Sequence, residues 1–473
     1  MKIRLITALA IFGSFQLYGS NSALTLTNLL TSVDAHYPSI VSALKEKEAA
    51  EGKALAARGA FDLRLKFNSR NDPLGFYETR VLEALIEQLT PYRGTRFFGG
   101  WRRGDGLFPL QEEKRETQTG GEVIFGVATP LLRNGAIDSA RAGIRRTTIG
   151  VQIEQAQVDR IRLLVQQSAT AQLLKWQAAL RKRDVYQGLL DLALVRDQAI
   201  RDQVEIGDKA EVDVIDNQRL IAKRREIVIA ARQKATAEAV KLSLYWRDHE
   251  GRPRIPDTST NQTLLAATLL GEKPELGEAL ARHPELQIFD RALKAEQVTR
   301  QLSENQLLPR LDLSMSVSKD LGIGSKTKED AELRIGAFFD FPFQNRKAKG
   351  NLDSTRAKIA AIEQKLGLMT DQLRAASHIA ENNVQQINAR MEQLQERLDR
   401  AKQMRKAETD RVELKLSDLL RLNLREQDVT AAETDLIDAQ LELRLAELDW
   451  ISALAIDLAP GNDATTPSLN PGN

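Results

Sequence analysis

The sequence predicts a mainly helical chain that carries a few membrane-type β-strands and is built from two structural repeats. Three observations lead to this fold class. Two long proline-free stretches, about residues 136–205 and 348–413, have the composition of long helices. Four short segments alternate apolar and polar residues, as in β-strands that expose one face to water. These segments follow the same order in both halves of the chain, which indicates an internal duplication.

Composition excludes several classes of function. The 473 residues include 67 basic and 65 acidic side chains, a formal net charge of +2. Nucleic-acid-binding proteins usually carry a clear basic excess, so nucleic acid is not expected as a partner. The chain has no cysteine, which excludes disulfides, thiol nucleophiles and cysteine-ligated metals. Its 4 histidines are scattered and no reactive constellation is apparent, so we expect no metal site, no cofactor and no enzyme activity.

The N-terminus has the layout of a secretory signal peptide at residues 1–23. Lys2 and Arg4 precede a mostly apolar stretch, 5–18, and small residues follow at 19–23. The alternative is a buried N-terminal helix. After residue 23, no stretch approaches the roughly 18–20 apolar residues of a membrane-spanning helix. The chain is therefore expected to be exported, and it can enter a membrane only as β-strands.

Each repeat begins with a helix and continues into two strands. The first repeat is expected at 24–246 and the second at 275–458, joined by a linker at 247–274 and followed by a disordered tail at 459–473. The strands are predicted at 61–68, 123–130, 311–318 and 333–342. Pro130 and Pro342 end a strand in each repeat, where a missing backbone N–H does least harm.

The strands carry the pattern of a membrane barrel with a water-filled interior, in which apolar residues face outwards and polar residues face inwards. On the first of them Phe61, Leu63, Leu65 and Phe67 would face lipid, while the alternating polar residues would face water. Four strands cannot close a barrel around a lumen. Three chains would contribute twelve strands, and their long helices would form a ring below them.

The long helices end at short breaks, near 206–208 and 414–417, and a returning helix follows each break. Asp208 and Ser417 are plausible N-caps for the returning helices. These helices carry heptad repeats that predict coiled-coil packing, with an ordinary amphipathic helix on a globular core as the alternative. The heptad residues are Val214, Ile221, Val228, Ala235 and Leu242, and Leu422, Val429, Leu436, Leu443 and Trp450.

The doubled helix–strand–strand–helix–helix unit resembles the TolC family of outer-membrane efflux and secretion ducts. The histidine–proline regions at 36–38 and 283–284, the strand-ending segment 130–135 and the turns at 204–207 and 412–420 also fit that family. The resemblance covers roughly residues 24–458. It implies a homotrimer with a 12-stranded β-barrel in the outer-membrane lipid, continuous with an α-helical coiled-coil barrel in the periplasm. A periplasmic adaptor and an inner-membrane pump would dock at the helical end, and substrates would cross passively in efflux or type I secretion.

The resemblance also assigns candidate site residues. Asp418 and Asp213 match acidic positions after the two turns, where threefold symmetry can build a charged ring at the periplasmic entrance. Arg421 stands where a second aspartate would be expected, which leaves cation selectivity open. The alternative is that these acids are solvated residues in the first turn of a helix. The turns expected to contact the adaptor comprise Ile206, Gly207, Asp208, Leu414, Lys415, Leu416 and Ser417, with Lys415 where glycine would be usual.

The first repeat holds an insertion at about 70–118, expected to be an extracellular loop. Its aromatic residues Phe97, Phe98 and Trp101 are predicted to fold over the barrel mouth and narrow it. A surface loop that packs on itself is the alternative. The competing function for the whole chain is a periplasmic coiled-coil scaffold or adaptor without a membrane barrel, which would share the heptads and the signal peptide.

Overall fold

The computed structural model describes residues 24–109, 115–257, 265, 268–269, 274–325 and 328–456. The predicted signal peptide and C-terminal tail lie outside the described residues, as does most of the second half of the linker. The first half of the chain forms α1 (Leu26–His36), α2 (Pro38–Arg58), β1 (Arg64–Asp72), β2 (Thr79–Leu89), β3 (Arg96–Gly106), β4 (Gly121–Pro130), α3 (Ser139–Glu205) and α4 (Glu211–Ser243). The second half forms α5 (Leu276–Arg282), α6 (Pro284–Asn305), β5 (Arg310–Leu321), β6 (Glu332–Asp340), α7 (Arg346–Glu413) and α8 (Leu419–Ala453).

The two halves have the same order of elements, apart from two additional strands in the first. In both, a single residue separates a short helix from a helix that begins with proline, at Pro38 and Pro284. Proline suits this position because its missing N–H would be unpaired in the first turn and its φ is already helical. The residues before the prolines, Tyr37 and His283, share an extended backbone, with ψ 124° in each. The predicted internal duplication is therefore present in the fold.

Two very long helices give the chain its length. Helix α3 has 67 residues and α7 has 68, so each spans roughly 100 Å at the usual helical rise. The returning helices α4 and α8 pack along them, as the heptads predict. Every predicted heptad residue is buried except Trp450, which is partly buried against Val384 and its neighbours.

The largest apolar cluster lies where α1 and α2 meet the middle of α3 and the end of α4. Trp176 on α3 is only 1% exposed and packs among Leu29, Ile40 and Leu242. Smaller clusters continue along the helix pairs towards the turns. Within the described parts of the chain, every helix falls short of the length and apolarity needed to cross a bilayer.

The strands form one antiparallel sheet of six, in the order β1-β2-β3-β4-β5-β6. The prediction of four strands was wrong, because most of the expected loop at 70–118 is the hairpin β2–β3 within this sheet. Two local features explain why the sequence did not predict this hairpin. The consecutive apolar residues Ala84, Leu85 and Ile86 break the alternation in β2. Strand β3 contains four glycines, a residue depleted in strands.

Aromatic rings cover two of the glycines in the sheet and explain why glycine is needed there. A Cβ atom at Gly126 on β4 would lie 2.3 Å from the Phe98 ring of β3. On the opposite face, a Cβ atom at Gly99 would lie 2.6 Å from the Phe125 ring. Each ring therefore lies flat on the neighbouring strand, an arrangement that fixes the register of β3 against β4.

Candidate functional site

The register of the sheet separates an apolar face from a polar face. Directly paired residues of an antiparallel sheet lie on the same face. One row of pairs across four strands is Phe97, Val127, Met315 and Ile335, and the next row is Phe98, Gly126, Ser316 and Arg334. The same parity holds on β1 and β2, where Leu65 lies opposite Ile86. The two faces are thus continuous over all six strands.

The apolar face is exposed to the surroundings of the chain. Among the described residues, no helix packs extensively on either face of the sheet. Phe67 is 68% exposed and Ile335 also 68% exposed, values unlike those of a packed core. The other exposed members of this face include Leu65, Ile86, Phe97, Phe125, Leu313, Met315, Val317, Leu333 and Phe339. A continuous apolar surface of this size marks a contact with another apolar phase or protein.

The polar face carries ion pairs between strands. Glu122 on β4 is only 2% exposed and accepts a hydrogen bond from Nε of Arg102 on β3. Nη2 of Arg334 on β6 lies 3.5 Å from the other Glu122 oxygen. Lys66 on β1 donates to Glu87 on β2 at 2.7 Å. Charged groups on this face are therefore paired across strands, including the two strands that the sequence did not predict.

The predicted constriction residues lie in β3 and not in a loop, so that prediction was wrong. Phe97 and Trp101 belong to the apolar face, while Phe98 lies on the polar face against Gly126. Trp101 also donates from its indole Nε1 to the Gly120 carbonyl at 2.9 Å, which fixes its ring. The β2–β3 turn, moreover, lies near the start of α3, because a Cβ atom at Gly94 would contact Asp138 and Asn134. The middle of the insertion is therefore at the helical end of the sheet.

The two tips where the long helices reverse have the same backbone geometry. After α3, the N–H of Asp208 donates to the Gln203 carbonyl at 2.8 Å, and after α7 the N–H of Leu416 donates to the Arg411 carbonyl at 2.8 Å. The preceding residues have left-handed backbones, with φ +75° at Gly207 and +58° at Lys415. This is the Schellman ending, in which glycine is preferred because it has no Cβ. Lys415 thus holds a conformation that costs a side-chain-bearing residue about 1–2 kcal/mol.

An ion pair joins the two tips. Nζ of Lys415 lies 2.9 Å from Oδ1 of Asp208, on the other long hairpin. Both side chains are largely exposed, so the pair contributes at most about 1 kcal/mol. Around it, Ile206, Leu414 and Leu416 are 79%, 69% and 66% exposed. The predicted adaptor-contacting turns therefore form one small surface with apolar residues around a charged link.

The N-caps of the returning helices differ from the prediction by one or two residues. The N-cap position of α4 is held by Ala210, which makes no side-chain hydrogen bond. Helix α8 is capped by Asp418, whose Oδ1 accepts from the N–H of Arg421 at 2.8 Å. Asp208 and Ser417 are not caps. Asp208 instead pairs with Lys415, and the Ser417 hydroxyl donates to Glu408, which is buried. A capping aspartate competes with serine for this role because both offer an oxygen to the first free N–H groups.

The candidate gate residues lie at the start of the returning helices. Nε of Arg421 is 4.0 Å from Oδ2 of Asp418, and both side chains are more than half exposed. Asp213 lies in the first turn of the other returning helix, α4, and is partly buried. In one chain Asp418 thus acts as a helix cap, in keeping with the alternative interpretation, while it stays open to solvent.

A largely buried cluster of three charged residues lies between the helical tips and the sheet, and sequence reasoning missed it. Arg224 on α4 is 2% exposed and donates to Oε2 of Glu426 on α8 at 2.8 Å and to the Leu189 carbonyl on α3 at 2.6 Å. Arg196 on α3 donates to the other oxygen of Glu426. Burial lowers the pKa of Arg224, and the hydrogen bond that Arg224 donates to the Glu426 carboxylate opposes this shift. These residues, the buried charge cluster, tie the first repeat to the second.

The sequence contained a signal for this cluster. Arg224 belongs to the basic run 223–225, and such a run within a helix is usually a solvated face. It stands three residues after the buried heptad residue Ile221, however, and thus at the companion position of the coiled-coil seam. A charge at that position indicates a buried ion pair.

Comparison with solved structures shows which known proteins share this fold. The outer-membrane channel OprN matches with a TM-score of 0.64 over 92% of this chain and 91% of its own, at 15% identity. CusC matches with a TM-score of 0.65 over 91% of each chain, at 11% identity. The open state of the Neisseria gonorrhoeae MtrE outer-membrane channel matches with a TM-score of 0.65 over 92% of this chain and 89% of its own, at 15% identity. No protein-family model and no curated protein matches the sequence. The predicted TolC-like fold is confirmed.

The buried charge cluster leads to a stability prediction. We expect Glu426→Gln to destabilise the protein by about 3–5 kcal/mol, because the buried Arg224 and the partly buried Arg196 lose their only carboxylate in the cluster. Glu433→Gln is the matched control on the same helix, since Glu433 pairs with Lys402 at a more exposed position and should cost at most about 1 kcal/mol. Thermal unfolding followed by far-UV circular dichroism measures both. Equal shifts in Tm would contradict the assigned role of the cluster.

The strained tip gives a second prediction. Lys415→Gly and Lys415→Ala both remove the ion pair to Asp208, but only glycine relieves the left-handed backbone. We expect the glycine variant to be more stable than the alanine variant by about 1 kcal/mol. Gly207→Ala, at the equivalent tip, should lose a similar amount. A glycine variant that unfolds at or below the temperature of the alanine variant would show that Lys415 is not strained.

Proposed function

We propose that three copies of this chain form an outer-membrane exit duct of a tripartite efflux or type I secretion system. The sheets span the outer membrane, and the helices extend into the periplasm. Substrates pass through the shared lumen, driven by an inner-membrane pump that a periplasmic adaptor connects to the helical tips. The duct performs no covalent chemistry. The fold shared with solved outer-membrane channels supports this function.

The observation that carries the proposal is the exposed apolar face of the sheet. Lipid would cover Phe67, Phe125, Ile335 and their neighbours, while the paired charges of Glu122 and Arg102 would face the aqueous lumen. The strands have 9 to 12 residues, close to the length of about 9–11 that a tilted strand needs to cross a bilayer. The competing scaffold function leaves this face in water, at a cost of about 25 cal/mol for each Å².

The helical end has the features of a docking and gating site. The exposed apolar residues Ile206, Leu414 and Leu416 offer the adaptor contacts at both tips. Threefold symmetry would gather three copies of Asp418 and of Arg421 around the axis. Each aspartate would remain near the arginine of its own chain, 4.0 Å away. Because the arginine offsets the negative charge, the entrance would select weakly for cations.

Cell fractionation and conductance test the function. We expect the protein in the outer-membrane fraction, extractable only with detergent. In planar lipid bilayers the purified protein should insert and give stepwise currents, because a closed polar lumen conducts ions. A protein found only in the soluble periplasm, without conductance, would favour the coiled-coil scaffold and overturn the duct.

Ion selectivity tests the entrance. Arg421→Ala should increase the preference of the pore for cations, because the three aspartates at position 418 would lose their neighbouring positive charges. Arg425→Ala is the control one helical turn further on, where the arginine pairs with Asp428. The reversal potential in a salt gradient measures the preference. The same reversal potential for both variants would exclude residues 418 and 421 from the entrance.

A further inference from the structure

The sheet has two edges that no described strand covers. Strand β1 pairs only with β2, and β6 pairs only with β5. Each of the two edge strands has 9 residues and neither contains proline. No described strand pairs with their outer N–H and C=O groups, an arrangement that is costly in lipid and promotes pairing with another strand. The occupant that fits best is a second copy of this chain.

The even number of strands makes the two edges complementary. The chain enters β1 from α2 and leaves β6 towards α7, so β1 runs away from the helices and β6 runs back to them. Strand β1 of one copy can consequently pair antiparallel with β6 of the next. If the two edge strands are aligned end to end, Arg64 lies opposite Asp340 and Leu65 lies opposite Phe339. The apolar faces of the two copies are then continuous, and the charges at the strand ends are opposite.

The β2–β3 hairpin is part of the wall of this sheet. Strand β3 pairs over its full length with β2, and over residues 96–102 with β4. Ile86 and Phe97 continue the apolar face, and Arg102 continues the polar face through its bond to Glu122. A hairpin adds two strands at once, so the alternation of strand direction is unchanged. The extra hairpin therefore lengthens the wall without disturbing either edge.

We propose that three copies close a barrel of eighteen strands, six from each chain, instead of the expected twelve. This inference rests on the proposed trimeric duct. Because barrel diameter grows roughly linearly with strand number, the lumen should be about 1.5 times as wide as that of a twelve-stranded barrel of equal tilt. The barrel would then not limit passage, and the narrowest point would be the helical tips.

The helices provide an independent argument for the larger barrel. Next to the sheet, α2, α3, α6 and α7 pack side by side in each chain. Twelve helices at the usual axial distance of about 8–10 Å need a circumference of about 100–120 Å. Eighteen strands about 4.8 Å apart and tilted by about 40° give about 110 Å, whereas twelve give only about 75 Å. The eighteen-stranded barrel thus continues the helical ring without a sharp narrowing.

Cysteine labelling tests whether β3 is in the wall. The chain has no cysteine, so single substitutions give clean signals. Phe97→Cys and Phe98→Cys are compared with Met315→Cys and Ser316→Cys, which occupy the same two rows on β5. In intact outer membranes, a membrane-impermeant maleimide should label positions 98 and 316 and leave 97 and 315 unlabelled. Equal labelling at 97 and 98 beside alternation at 315 and 316 would place the hairpin outside the wall and overturn the inference. Loss of alternation at 315 and 316 would instead overturn the duct itself.

A hairpin deletion measures the width of the barrel. Removing residues 73–120 and joining β1 to β4 with an Asn-Gly turn should leave four strands in each chain. The largest polyethylene glycol that enters the pore from the extracellular side should then fall, because the diameter would shrink by about one third. An unchanged size limit would contradict the eighteen-stranded barrel. The labelling result decides independently if the shortened chain fails to assemble.

Discussion

The structure depends on one constraint, which is that a single chain can neither bury the apolar face of its sheet nor pair the two edge strands. Its six strands have an exposed apolar face and two unpaired edges. A soluble protein would cover such a face with a helix or a second sheet, yet the helices of this chain extend away from it. In the proposed duct, lipid covers the apolar face and neighbouring copies pair with the edge strands. The cost of exposing the face to water and the cost of leaving the edges open are then removed together. Oligomerisation and membrane insertion are thus coupled in the proposed duct.

The helical part meets a different requirement, since it must hold its shape in water over roughly 100 Å. Thin helical layers have small cores, and here the apolar clusters are arranged along the helix seams. The buried charge cluster of Arg196, Arg224 and Glu426 adds specificity, because it joins helices from both repeats at one position. At the tips the links become weak and exposed, as in the pair between Lys415 and Asp208. The ion pairs between the two repeats are therefore weaker at the end where partners are proposed to dock.

The sequence was informative where a single physical signal dominated. Regular alternation located β1, β4, β5 and β6, and heptads located the seams of α4 and α8. It failed where tertiary contacts override local preference. In strand β3, for example, Gly99 is needed because the Phe125 ring covers it, a contact that no local pattern encodes. Asp418 caps α8 in place of Ser417, since neighbouring polar residues compete for one role. Burial of Arg224 likewise depends on Glu426, about two hundred residues further along the chain.

The central claim is that the closed lumen is shared between copies of the chain. The most direct measurement is the polypeptide mass of the detergent-extracted protein, determined by light scattering with the detergent contribution subtracted. The shared barrel requires a mass three times that of one chain, which is 52.8 kDa before any processing. A stable particle with the mass of a single chain would contradict the account, because six strands with two free edges cannot enclose a conduit.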